Sequence, residues 1–299
     1  MAFSPQRRLL LLSALGAPFA TVSMLSHAEA AELTLSEARD QLVQLETSSG
    51  GRLGLFAYDT VFGTRVQYRD EERFPVCSTF KIVVVGAILK RSELDPELLQ
   101  RRIRYEQDDV RAAGYAPITQ KHVQDGMTIA ELCAAALQYS DNAAANLLMK
   151  ELDGPDTVTG FARSTGDESF RLDRWEPQLN TALPGDERDT STPQAMAFTL
   201  QRLTLGEALA EPQRGQMRGW MLGNTTGAQR IRAGVPRGWL VADKTGTGDY
   251  GTTNDVALLL PPGGPAFVIA IYFTQTDPHA KPREDVLAAA TRIAIQALM

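Results

Sequence analysis

Apolar residues recur along this chain in two periods, and the changes between them mark out the elements. Leu35, Ala38, Leu42 and Leu45 fall at helical spacing, so the pattern predicts a helix over Leu33 to Leu45, ended by the breaker Ser48-Ser49-Gly50-Gly51. The run Arg52 to Tyr58 then reads as a strand, with Arg65 to Tyr68 as its hairpin partner across Asp59 to Thr64. From Ser78 to about Leu152 the period is helical. Ile82 to Leu89 is nearly all apolar, which predicts a central, buried helix. Thr128 and Glu131 form a capping box that opens a helix to Tyr139, and Asn142 to Leu152 forms another, stopped by Asp153-Gly154-Pro155. Residues 167–190 hold Trp175, Pro177, Pro184, Gly185 and many charges with no period, and read as a long loop of the functional kind. Helices resume at Thr192-Pro193 and over Pro212 to Leu222. Strands follow at Trp239 to Lys244, Asn254 to Leu260 and Ala266 to Thr274, and an amphipathic helix over Asp285 to Leu298 comes last.

Two strands near one end and three near the other imply one sheet interrupted by a helical insertion. Residues 31–70 with 223–299 are then an α/β part, and 71–222 an inserted helical part. The pattern contains no internal repeat, low-complexity tract or interdomain linker.

The first thirty residues stand apart. Arg7 and Arg8 precede an apolar stretch from Leu9 to Leu25, and Ala28-Glu29-Ala30 offers a small-residue cleavage site. Residues 1–30 therefore read as a secretory signal peptide, with a general or a twin-arginine export route both open. Ser13, Gly16, Pro18 and Ser23 interrupt the run, which argues against a membrane span. Its removal takes away Arg7, Arg8 and Glu29, a net +1, and moves the formal charge from −6 to −7.

Composition narrows the chemistry. Thirty Lys and Arg against 36 Asp and Glu leave no basic footprint for nucleic acid. The 299 residues contain three histidines, His27, His122 and His279, with no H-x-H or H-E-x-x-H pair, so a zinc hydrolase is not expected. Cys77 and Cys133 are too few for a disulfide scaffold.

Ser78 and Lys81 lie at i and i+3 and so project from one helical face, where the lysine can reach the hydroxyl. A serine is a weak nucleophile until a base takes its proton, and a lysine of lowered pKa can do so. Alone, the pair is a weak signal and reads more readily as a capping serine beside a lysine reaching solvent. Ser140-Asp141-Asn142 lies between two helices, and Lys244-Thr245-Gly246 ends a strand and is followed by Thr247. Each tripeptide alone says little. The three in this order form the constellation of class A β-lactamases and penicillin-binding proteins.

Over essentially the whole chain after residue 30, the sequence resembles a class A serine β-lactamase, in the branch of the penicillinases and cefotaxime-type enzymes with Cys77 before the nucleophile. Glu176-Pro177-Gln178-Leu179-Asn180 is similar to the family's E-x-x-L-N element, Arg174 and Asp189 to the ion pair closing its Ω-loop, and Tyr115 with Pro117 to its aromatic rim. The resemblance implies an α/β (α+β) fold: a five-stranded antiparallel sheet flanked by helices, an inserted all-helical domain, and the active site between the two.

It also implies roles. Ser78 attacks the lactam carbonyl, the N–H groups of Ser78 and Thr247 form the oxyanion hole, and Lys81, or Glu176 through a water, is the acylation base. Ser140, held by Lys244, relays the proton to the leaving nitrogen. Glu176 and Asn180 grip the water that hydrolyses the acyl-enzyme. Asn142 binds the substrate side-chain amide. Thr245, Gly246, Thr247 and Arg230 meet the substrate carboxylate, Arg230 because the strand after K-T-G offers only Thr252 and Thr253. No cofactor and no metal are implied. The expected partner is a small-molecule β-lactam, with no nucleic acid and no membrane once the signal is cleaved. The expected product is a monomer, periplasmic, or secreted where the host lacks an outer membrane. Positions that carry disulfides in some relatives hold Val85 opposite Cys133 and Gly248 opposite Cys77, so both thiols are expected free and buried. The competing functions are a penicillin-binding D,D-peptidase, which has no need of Glu176, a non-turnover antibiotic sensor, and a periplasmic binding protein.

Overall fold

The computed structural model describes residues 33–299, so the expected signal peptide lies outside the described residues. Strands β1 (Arg52–Asp59), β2 (Arg65–Tyr68), β3 (Leu240–Thr247), β4 (Thr253–Leu260) and β5 (Phe267–Thr274) form one five-stranded sheet, ordered β2-β1-β5-β4-β3. Every pairing is antiparallel. The α/β (α+β) architecture expected from the resemblance is the one observed.

The central strand explains how the sheet is held. β5 reads Phe-Val-Ile-Ala-Ile-Tyr-Phe-Thr with no polar alternation, because both of its faces are covered. Val268, Ala270 and Tyr272 join one core, while Phe267, Ile269, Ile271 and Phe273 join the other. The second core is closed by α1 (Leu35–Ser49) and α10 (Glu284–Leu298), through residues such as Leu42, Leu287 and Ile295. Helix α1 is delimited by its own chemistry. Thr34 and Glu37 make a reciprocal capping box, and Gly50 takes the left-handed φ of +69° that ends the helix.

The first core packs beneath the helices that follow. These are α2 (Lys81–Ser92), α3 (Gln107–Ala113), α4 (Ile129–Gln138), α5 (Asn142–Glu151), α6 (Pro155–Ser164), α7 (Pro193–Thr204) and α8 (Glu211–Leu222), while the short α9 (Ile231–Gly234) joins the second core through Ile231. Every residue from Ile82 to Leu89 in α2 is buried, as the apolar run predicts. Truncating Leu89, fully buried, to Ala removes packing on the order of 2–5 kcal/mol. The expected Thr128–Glu131 box opens α4, and Thr192 caps α7 ahead of Pro193.

The structure corrects three details. The 78–81 segment is not the first turn of an α-helix but a 3₁₀ turn, Cys77–Phe80, that feeds α2. Strand β3 does not stop at Lys244; it runs through Thr247, because Thr245, Gly246 and Thr247 continue to pair with Asp255, Asn254 and Thr253. Asp153-Gly154-Pro155 is both a stop and a start: Gly154, at φ +107°, turns the chain and Pro155 opens α6 at its first position. The short helices α3 and α9 carry too few turns for their period to be read.

The 167–190 loop is irregular apart from a 3₁₀ turn at Gln178–Thr181, yet it is anchored throughout. Asp189, fully buried, accepts from the N–H groups of Asp173 and Arg174 at 2.7 and 2.9 Å and from the Arg174 guanidinium. Asp167 accepts from Ser169 N and Phe170 N at one end and from Thr199 Oγ1 at 2.7 Å. Beyond Asp189, Thr190–Ser191 pairs with Phe74–Pro75, and Val76 N donates to Asp189 O at 2.9 Å. The loop is thereby fixed beside the turn that carries Ser78.

Candidate active site

Cys77 takes a left-handed φ of +43°, and the tight turn after it eclipses positions i and i+3. That brings Lys81 Nζ to 2.9 Å from Ser78 Oγ. Lys81 has no exposed surface, and its Nζ also lies 2.8 Å from Ser140 O, 3.4 Å from Ser140 Oγ, 2.7 Å from Asn142 Oδ1 and 3.0 Å from Glu176 Oε1. Burial pushes the Lys81 pKa below its ordinary value, against the opposing pull of the Glu176 carboxylate. A neutral amine in this place can accept the Ser78 proton.

Ser140 sits at φ +57° between α4 and α5. Asp141, which follows it, caps α5 by accepting from Ala144 N and receives Ile118 N and Thr119 N, each at 2.9 Å. The middle residue of the tripeptide is therefore an anchor, and its neighbours face the cavity. Asn142 donates to Ala113 O at 3.2 Å in addition to its contact with Lys81. On the sheet side, Lys244 Nζ donates to Ser140 Oγ at 3.0 Å and to Thr245 O at 2.7 Å. Burial and the nearby charges of Lys81 and Arg230 hold its pKa well below the ordinary lysine value.

Glu176 stands on the 167–190 loop with 2% exposure, its Oε1 3.4 Å from Ser78 Oγ. Asn180, one turn on, donates to Glu176 Oε2, and the Asn180 amide oxygen is buried with no partner among the described residues. The backbone of Glu176 is held on both sides by one side chain: Asn146 Oδ1 accepts from Glu176 N at 3.0 Å, and Asn146 Nδ2 donates to Glu176 O at 2.9 Å.

Arg230 is buried. Its Nη1 donates to Gly246 O and Asn254 O, each at 2.8 Å, its Nη2 to Thr247 Oγ1 at 2.8 Å, and its Nε lies 3.2 Å from Glu284 Oε1. Beside it, Asp243 accepts from Asn224 and Arg232, and burial raises the pKa of both Asp243 and Asp255.

Ser78, Tyr115, Ser140, Asn142, Asn180, Thr226, Arg230, Thr245 and Thr247 line one cavity of about 370 Å³, while Lys81, Glu176 and Lys244 lie just beneath its wall. All twelve residues singled out in the sequence converge here, Gly246 through its carbonyl on Arg230. Tyr115, at 56% exposure, stands at the rim. A larger cavity of about 540 Å³ lies between residues 182–187 and Thr274, but no serine, cysteine, lysine or histidine lines it. The smaller cavity is the one with chemistry.

Sequence reasoning missed Asn146, Thr226, Asn254 and Glu284. Asn146 had a signal, since it lies one helical turn after Asn142 on the same face. The other three meet the site only through tertiary packing. Cys77 and Cys133 are free and buried, as expected, and burial raises both thiol pKa values. Among the described residues no three His, Cys, Asp or Glu side chains converge as metal ligands would.

Comparison with known proteins places this geometry. A model of the β-lactamase enzyme family matches residues 35–298. The chain is 53% identical over 274 residues to β-lactamase CTX-M-97 of Escherichia coli, covering 92% of this chain and 94% of that protein. It is 54% identical over 258 residues to β-lactamase OXY-2 of Klebsiella oxytoca, covering 86% and 88%. Among solved structures, a β-lactamase from Desulfarculus baarsii superposes with a TM-score of 0.86 at 54% identity, over 87% of this chain and 97% of that one. One from Burkholderia ambifaria does so with 0.84 at 55% identity, over 86% and 98%.

Proposed function

The chain belongs to the β-lactamase enzyme family, and from that premise we propose how its residues divide the work. The protein is a serine β-lactamase that hydrolyses the lactam amide of penicillins and cephalosporins and so confers resistance to them. The observation that carries the assignment of roles is the Ser78–Lys81–Glu176 cluster, three buried reactive groups within 3.4 Å of one another.

In acylation Ser78 Oγ attacks the lactam carbonyl and its proton passes to Lys81 Nζ, or to Glu176 through a water. The charge that develops on the carbonyl oxygen is met by the N–H groups of Ser78 and Thr247. As the C–N bond breaks, the ring nitrogen takes a proton from Ser140 Oγ, which regains one from Lys81. Lys244 orients Ser140 and, with Arg230, Thr245, Gly246 and Thr247, draws in the substrate carboxylate. Asn142 and Tyr115 contact the acyl side chain.

Deacylation needs a held water and a base. The Glu176 carboxylate and the unpaired Asn180 amide oxygen are two acceptors that a single water's hydrogens satisfy. Glu176 takes the water's proton as its oxygen adds to the ester, and the proton returns to Ser78 Oγ as the ester bond breaks. A D,D-peptidase has no use for this pair, so Glu176 and Asn180 favour hydrolysis.

We also read the seam between residues 71–222 and the α/β part, 31–70 with 223–299, as the place of the cavity. The enzyme works as a monomer exported to the periplasm. No helix among the described residues is long and apolar enough to cross a membrane.

The test is Glu176→Gln. Turnover of nitrocefin is expected to fall by roughly 10³-fold while the protein gains the mass of one substrate, as general-base loss without nucleophile loss requires. A variant that turns over at the parent rate would refute the role of Glu176.

A further inference from the structure

Two N–H groups can hold one oxyanion only if their separation is fixed, and here they come from segments far apart in the chain. This inference rests on the reading above, in which Ser78 N and Thr247 N form that pair. Ser78 N belongs to the 3₁₀ turn, Thr247 N to the edge strand β3. Gly248 N donates to Thr252 O at 3.1 Å, and bonded pairs alternate along an antiparallel ladder. Thr247, opposite Thr253, therefore falls at a non-bonded position, with its N–H directed off the sheet edge. The β3–β4 ladder sets that N–H in place, but the ladder's backbone bonds do not set its distance from the turn.

Asn254 does. It lies on β4 opposite Gly246, fully buried, and its Nδ2 donates to Pro75 O at 2.8 Å and Val76 O at 3.2 Å. Those carbonyls belong to the two residues before Cys77, which leads into Ser78. Aiming the amide nitrogen at two acceptors leaves Asn254 Oδ1 buried and unpartnered, a local cost of the kind that marks functional positions. The backbones are drawn as close as they can come: a Cβ on Gly246 would sit 2.9 Å from Val76 O. The Asn254 carbonyl in turn shares the Arg230 Nη1 with Gly246 O.

We propose that Asn254 is a positioning residue for the oxyanion hole: by tying the 75–76 carbonyls to β4, it sets the gap between Ser78 N and Thr247 N. It touches no substrate.

The experiment places Asn254→Ala and Asn254→Asp in the Glu176→Gln parent, where the acyl-enzyme persists, and acylates each with a penicillin carrying ¹³C at the lactam carbonyl. Infrared difference spectra read the ester carbonyl, whose frequency falls as oxyanion-hole hydrogen bonds strengthen. In both variants the band is expected at higher frequency than in the parent, further for Asp, which turns a donor into an acceptor facing two carbonyls. The acylation rate constant is expected to fall roughly 10–100-fold, less than removal of a whole donor costs, with the pre-covalent dissociation constant unchanged. Folded variants with the parent's carbonyl band and acylation rate overturn the proposal. So does failure of both variants to fold, which would make the tie a structural one. A parent that never acylates on Ser78 fails at the earlier step, and takes down the reading on which this one rests.

Discussion

The cavity is walled by two regions built on opposite plans. On one side stands β3, whose Lys244, Thr245 and Thr247 are placed by an eight-residue ladder with β4, over a sheet packed on both faces. On the other stands the 167–190 loop, whose Glu176 is placed by a handful of polar ties from Asn146, Asn180 and the Arg174–Asp189 pair. Most groups assigned to acylation lie on, or at the ends of, regular elements packed into the apolar core. The groups assigned to deacylation lie on a segment with no ladder of its own. The two half-reactions should therefore be separable by mutation, and the loop should be the more easily disturbed.

Ser78→Ala breaks the scheme at its root. Turnover is expected to fall on the order of 10⁴-fold or more, with no substrate mass added to the protein. The Ser78 side chain is buried and hydrogen-bonded to Lys81, so the fold should be checked by thermal melting alongside the mass. Next comes Asp189→Asn, which leaves Arg174 without its buried counter-charge. A loss of about 3 kcal/mol is expected in denaturant unfolding, with deacylation slowed more than acylation in pre-steady-state traces. Equal slowing of both steps would erase the distinction between the two walls.

Lys244→Met sharpens the sheet side. Lys244 has a folded pKa below its ordinary value, so the unfolded chain binds more protons between the two, and this group favours folding less as pH falls through that window. Removing it is expected to abolish most activity and yet raise the melting temperature by about 2–4 °C at neutral pH, with a smaller gain toward pH 10. A lower melting temperature at neutral pH would contradict it. The smallest effect belongs to Glu284→Gln. Its carboxylate, more than a third exposed, competes for the Arg230 guanidinium. Its neutralisation is expected to lower KM for carboxylate-bearing substrates about twofold, with kcat unchanged and the difference lost in high salt.

How far the sequence foretold this follows the same divide. Ser78 with Lys81, and Lys244 through Thr247, are each close in the chain, so they are legible as short motifs whose meaning comes from their order along the sequence. The apolar run of α2 and the capping box at Thr128 are local too, and legible for that reason. Glu176 and Asn180 are also near each other in sequence, but nothing local says which wall they face; the resemblance supplied that. Nothing local announces the burial of Arg230, because its partners Gly246, Asn254 and Glu284 are scattered over the last fifth of the chain. Asn254 was silent because an asparagine clamping a distant backbone leaves no period, whereas Asn146 could be read only from its place one turn after Asn142. The end of β3 was misplaced because a lysine and a glycine look like a strand's finish, and only the pairing with Asp255 to Thr253 keeps it going.

The doubly covered strand β5 carries one more consequence. A strand with one wet face finds its alignment because slipping by one residue would expose its apolar side. From Phe267 to Phe273 no such penalty exists, since both faces are apolar. Alignment must instead be judged by size. Ala270 lies between Phe56 on β1 and Val256 on β4, and a one-residue slip would bring Ile269 or Ile271 into that narrow gap. Misthreaded chains are thus rejected by collision rather than by solvent, and the smallest side chain in the middle of the sheet is the one that proofreads it.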